Sequence, residues 1–238
     1  MGLFLSASGV FSPDSEAIRG AISSYVASIG GTFEPRAGTT DDRNIGVMQS
    51  TPSTTTILYP DGFTGWDDLS KSLSAHLNTS VFSFHIHDGD LWMFTAFKNG
   101  QEVAWFNPLP DYWGDIDDEE RTRWSGNAES VAALVPGLSP ASVARYFRPW
   151  TEDVLAARQK AYEGDEFPTG VDWQLTDFMR RIGFVWPLGQ SGEPTGETFY
   201  LKIRRRRPPS GATANPAPPS SSPLPMKREP TKPWWKIW

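Results

Sequence analysis

The apolar run Leu3–Phe11 predicts a first strand. The period then lengthens. Ile18, Ile22, Tyr25, Val26 and Ile29 recur at helical spacing behind Ser12-Pro13-Asp14, and Gly30-Gly31 ends the run. Residues up to about Asn44 are polar and read as a loop. Ile45–Gln49 and Thr54–Tyr59 predict two strands around a Pro-containing connection. Thr64, with Asp67 three residues on, predicts a capped helix with Trp66, Leu69, Leu73 and Leu77 as its buried stripe.

Residues 81–107 carry three β runs joined by Asp88-Gly89 and Asn99-Gly100. Both dipeptides suit two-residue type I′ turns, which need a positive φ at both central positions. Two-residue turns pair His87 with Asp90, His85 with Trp92, Phe84 with Met93, Phe94 with Trp105 and Met93 with Phe106. Alternation then divides the meander. One face holds Phe82, Phe84, Ile86, Leu91, Met93 and Phe106; the other holds Ser83, His85, His87, Asp90, Trp92, Phe94 and Trp105.

Beyond Pro108 the spacing becomes helical, over Asp115–Trp124, Ala128–Leu134, Ser139–Phe147, Thr151–Tyr162 and Asp172–Ile182, with Gly183 as a stop and a last strand over Glu197–Ile203. The order predicts an α+β fold: a mainly antiparallel sheet with two helices on one face and a helical C-terminal half. The expected folded domain covers 1–203, with the sheet part over about 1–110 and the helical part over about 111–190. Residues 204–238 read as a disordered basic tail, because nine prolines between Pro208 and Pro233 come with almost no apolar residues.

Charge sharpens that division. Residues 202–238 hold nine Lys/Arg and one acid, Glu229, a net +8, whereas residues 1–201 hold 13 basic and 27 acidic residues, a net −14. An acidic domain repels phosphates, which argues against nucleic-acid binding by the folded part. The chain has no cysteine, so it has no disulfide or thiolate site, as expected of a cytoplasmic protein. No stretch reaches the roughly 18 apolar residues of a membrane span.

Candidate chemistry centres on His85-Ile86-His87-Asp88-Gly89-Asp90. His-x-His on a strand places both imidazoles on one face, as a metal-dependent hydrolase requires, and Asp90 can act as ligand or orienter. The competing reading is a hairpin whose His–Asp pair is structural, with His85 packed on Trp92. Trp92, Phe94 and Trp105 form a possible ligand face in the same register. His76 reads as a surface helix residue. The acids Asp115–Glu120 offer oxygen ligands for a divalent cation, or simply oppose the positive end of a helix. No Gly-x-Ser-x-Gly or phosphate-binding glycine loop is present, and nothing calls for a cofactor.

The last twelve residues read KREPTKPWWKIW. Trp234, Trp235, Lys236, Ile237 and Trp238 crowd three tryptophans into five positions beyond the proline stretch. This composition points to a non-enzymatic interaction protein, adaptor-like, whose Trp-Lys peptide docks on a protein partner. A membrane surface, where Trp and Lys are favoured together, is the alternative, and docking on the chain's own domain is a third. Arg204–Arg207 is too short a basic run to name a ligand, and Met1–Ser6 matches the pattern for N-terminal acylation.

Overall fold

The computed structural model describes residues 3–35, 43–61 and 63–203. The chain divides into two units, 1–203 and 204–238. The basic run, the proline stretch and the Trp-Lys peptide lie outside the described residues.

Among the described residues eight strands form one antiparallel sheet: β1 (Leu5–Val10), β2 (Thr32–Pro35), β3 (Ile45–Ser50), β4 (Thr55–Leu58), β5 (Ser80–His87), β6 (Leu91–Lys98), β7 (Gln101–Phe106) and β8 (Glu197–Lys202). Their order across the sheet is β2-β8-β3-β4-β1-β5-β6-β7. Among the described residues six α-helices accompany them: α1 (Ser15–Ser28), α2 (Trp66–His76), α3 (Asp118–Trp124), α4 (Ala128–Ala132), α5 (Glu152–Ala157) and α6 (Gln174–Arg181). The fold is α+β, as the sequence order implied.

β2 falls where a loop was expected. It is an edge strand with three of its four residues exposed, so it shows no apolar alternation. Phe33 alone turns inward, 5.4 Å from the ring of Phe199 on the neighbouring β8. The helical half is also less regular than its spacing suggested. Ser139–Phe147 forms two short 3-10 turns, Pro140–Ser142 and Ala144–Tyr146. The run from Thr151 stops at Ala157, where Arg158 adopts a left-handed φ of 46°. α2 begins after Gly65, with no side-chain cap from Thr64. Asp14 caps α1 by accepting from Ala17 N at 3.0 Å.

Both turns of the meander have the expected positive φ pair, 55° and 73° at Asp88-Gly89 and 52° and 74° at Asn99-Gly100. The register nevertheless differs from a two-residue reading. At the first turn Asp90 is an extra residue, so His87 pairs with Leu91 and Ile86 with Trp92. At the second, Lys98 pairs with Gln101, but the register shifts between Ala96 and Phe97, so Phe94 pairs with Phe106 and Thr95 with Trp105. Each one-residue shift moves a whole run to the opposite face. Leu91 and Met93 therefore share the face of His85 and His87, while Trp92 and Phe94 lie on the other.

Each face has its own core. On the first, Ile18, Ile22 and Val26 of α1 and Leu69 and Leu73 of α2 pack with Val10, Ile57 and Val81 of the sheet. On the second, Phe82, Phe84, Trp92, Phe94 and Phe106 receive Phe178 from α6 and Phe184 beyond it; the Phe178 ring lies 5.3 Å from Trp92 and 5.2 Å from Phe94. Each such ring stabilises by roughly 1.5–3 kcal/mol when fully buried. Trp92 Nε1 donates to Gln174 Oε1 at 3.3 Å, which satisfies the indole in this core.

Candidate functional site

Two imidazoles sit at one end of β5, and α2 closes over the inner one. Ser70 of α2 meets Ser8 of β1 at 2.6 Å, and Ser8 meets the Tyr59 hydroxyl at 2.5 Å, a buried network that pins the helix to the sheet. Trp66, at the start of α2, then stacks on His85 with ring centroids 4.6 Å apart and planes within 6°. His85, 7% exposed, faces Ser6 Oγ through Nδ1 at 2.9 Å and His87 Nδ1 through Nε2 at 3.4 Å. Both nitrogens of the inner ring thus have neighbours. The partner of His85 is Trp66, and the expected Trp92 is on the far side of the sheet.

His87 is half-buried and ringed edge-on by Phe4 at 4.9 Å, Trp113 at 4.9 Å and Tyr112 at 5.7 Å. Asp90 accepts a hydrogen bond from the Tyr112 hydroxyl and reaches His87 through its charge. Burial lowers the His85 pKa to about 3, reinforced by the charge of His87. Burial also lowers His87, against the opposing pull of Asp88 and Asp90. The Tyr112 hydroxyl is raised to about 12, chiefly by its bond to Asp90. Both imidazoles are therefore neutral at neutral pH, and His85 has no usable acid form there.

The 3.4 Å separation of His85 Nε2 and His87 Nδ1 is close to what two ligands of one tetrahedral ion would show, given Zn–N bonds of about 2.0–2.1 Å. Among the described residues, however, no group of three His, Cys, Asp or Glu side chains is arranged to hold a metal. Asp90 faces Tyr112, and His76 is exposed at the far end of α2. Trp105 does lie on the histidine-bearing face, where its indole donates to Glu102 and Arg123 stacks over its ring at 4.4 Å. Trp92 and Phe94 do not, so the three rings expected to form one ligand face are divided between two.

The acids of Asp115–Glu120 serve the start of α3. Asp117 caps it by accepting from Glu120 N at 2.8 Å, and Arg121 pairs with Asp111. Asp165 is buried and accepts from Tyr146 Oη at 2.8 Å and Tyr162 N at 2.9 Å, which makes Gly164-Asp165-Glu166 a structural loop.

Sequence reasoning missed a cleft of about 420 Å³ past the end of β7. The chain leaving β7 forms one wall, through Asn107 to Tyr112; Arg121 and Ser125 of the α3 region and Pro149–Thr151 complete it. Tyr112 belongs to both the cleft and the ring around His87. The backbone of Trp150 is tied across the cleft by its N–H to Pro108 O at 3.0 Å. The available signal was Asn107-Pro108-Leu109-Pro110: two prolines end the strand, and Asn107 Oδ1 accepts from Leu109 N at 2.9 Å to turn the chain.

Comparison with known proteins finds no matching family model, no similar curated protein and no similar solved structure. No helix among the described residues is long and apolar enough to cross a membrane.

Proposed function

We propose that this chain is a non-enzymatic interaction protein that recruits a protein partner through its Trp-Lys peptide. The observation that carries the reading is in the sequence: Trp234, Trp235 and Trp238, with Ile237, fall beyond the unit of residues 1–203. That unit already has two aromatic and aliphatic cores built from its own residues. Tryptophan side chains gain most by burial, and Trp is favoured at the centre of protein interfaces. Lys232 and Lys236 add charge that favours an acidic partner surface.

Features of the histidine pair support a non-enzymatic role. His85 is locked between Ser6, Trp66 and His87, and its lowered pKa removes it as an acid at neutral pH. A metal-dependent hydrolase centred on His85, His87 and Asp90 remains the competing reading, favoured by the spacing of the two ring nitrogens. Thermal melts with zinc and with a chelator separate the two. The interaction reading expects unchanged midpoints; a zinc-dependent rise abolished by His87→Ala supports the metal site instead.

Partner capture by the full chain is compared with capture by the Trp234→Ala/Trp235→Ala/Trp238→Ala variant. A partner set that disappears with the tryptophans supports the proposal, and an unchanged set contradicts it. Flotation with anionic vesicles isolates the membrane alternative: tryptophan-dependent flotation without protein capture would replace the partner by a lipid surface.

A further inference from the structure

Exposed apolar surface gathers around His87. Of the six large apolar side chains that stand more than a third exposed among the described residues, three meet there: Leu3 at 37%, Phe4 at 46% and Tyr112 at 39%. The Phe4, Tyr112 and Trp113 rings meet His87 edge to face, and those of Tyr112 and Trp113 lie 4.8 Å apart. Leu3 is tied to the adjoining turn, because its carbonyl accepts from Gly89 N at 2.9 Å. Exposed apolar side chains grouped in one patch, unlike the same side chains scattered singly, mark an interaction surface.

Charge narrows the partner. Asp88 and Asp90 stand exposed beside the rings. Neither pairs with a Lys or Arg among the described residues. Asp90 accepts instead from the neutral Tyr112 hydroxyl. Asp172 is partly buried; burial raises its pKa, and the charge of Asp90 adds to the rise, so a third carboxylate lies in the same negative field. The sequence accounts for the imbalance. From His85 to Glu120 there are nine acids and one Lys/Arg, Lys98, at the opposite end of β6. The two cations that follow are taken, Arg121 by Asp111 and Arg123 by Glu102.

Exposed rings flanked by uncompensated carboxylates complement a cation with a flat face. An arginine guanidinium stacks on aromatic rings and binds a carboxylate through two parallel hydrogen bonds, whereas a lysine ammonium is a compact, strongly hydrated charge. Arginine is also enriched at protein interfaces. The same carboxylates repel nucleic acid and anionic lipid.

We propose that the patch of Phe4, Tyr112 and Trp113, with Asp88 and Asp90, docks an arginine-bearing segment of a partner protein. The proposal is independent of the Trp-Lys peptide and stands if that reading fails.

The test is calorimetric titration of the full chain with hexa-arginine and, separately, with hexalysine at physiological salt. Hexa-arginine should bind saturably and several-fold more tightly than hexalysine. Asp88→Asn/Asp90→Asn should weaken hexa-arginine binding by roughly five- to tenfold, about what two exposed charge pairs contribute. Asn keeps the turn, which it favours, and at position 90 keeps an acceptor for Tyr112. Glu34→Gln/Glu163→Gln removes the same charge from exposed positions elsewhere and should leave binding within about twofold. Phe4→Leu keeps an apolar side chain without the ring and should weaken binding by roughly two- to fivefold. Absence of saturable hexa-arginine binding overturns the proposal. Equal binding of hexalysine does so too, as does an equal loss in the two charge variants, since either result reduces the attraction to net charge. Undiminished binding by Phe4→Leu removes the aromatic contribution and overturns it as well. Variants are matched for folding by their urea midpoints; if one fails to fold, the comparison of the two peptides on the unsubstituted chain still decides.

Discussion

His85 shows how much one side chain is defined by what lies over it. Its imidazole is held neutral because Trp66 and the sheet exclude water from it. Its pKa is about 3 when folded, while a histidine in the unfolded chain titrates near 6.5. Between these values the unfolded chain takes up a proton that the folded chain refuses. Stability is therefore complete above pH ~6.5 and declines as the pH falls, by up to about 1.4 kcal/mol per pH unit from this group. Urea unfolding at pH 7 and pH 5 should show a loss on the order of 2 kcal/mol, and His85→Asn should remove most of it. An equal loss in the variant would assign the effect elsewhere. The sequence made the His-x-His pair visible and placed both rings on one face. It did not reveal the cover, because Trp66 lies in another element, and stacking across elements leaves no local pattern.

At the scale of elements, two single-residue irregularities decide which side chains meet. Asp88-Gly89 and Asn99-Gly100 are legible as turns, since φ > 0 at both positions demands such residues. The extra residue at Asp90 and the register shift at Ala96/Phe97 are not legible, because a bulge has no obligatory residue type when its φ is ordinary. Trp92 and Phe94 therefore lie on the face that α6 covers, opposite the histidines, and not on the histidine-bearing face that two-residue turns predict.

The packing of that second face explains a glycine in β1. A Cβ on Gly9 would lie 2.7 Å from the Phe184 ring, so the ring rests directly on the strand backbone. Gly9→Ala should destabilise by roughly 1–3 kcal/mol through overpacking, read as a lower urea midpoint. The loop before α6 depends on a buried carboxylate instead. Asp177 accepts from Glu166 N through both oxygens at 2.9 and 2.8 Å, from Phe167 N at 2.7 Å and from Arg180 at 2.5 Å. Asp177→Asn turns one acceptor into a donor facing N–H groups. It should cost about 2–4 kcal/mol, with the loss of amide-exchange protection concentrated at residues 166–167. A loss spread evenly over the sheet would contradict this role.

At the scale of the molecule, the α+β class followed from element order, and the edge strand β2 escaped because it buries only part of Phe33. The charge division places −14 on residues 1–201 and +8 on residues 202–238. The three tryptophans of the basic stretch carry the proposed function. The most direct measurement is quantitative partner capture by the full chain with and without the Trp234→Ala/Trp235→Ala/Trp238→Ala substitutions, both proteins matched for folding by their urea midpoints. The account predicts that the captured protein is lost when the tryptophans are lost. Capture that persists undiminished would contradict it.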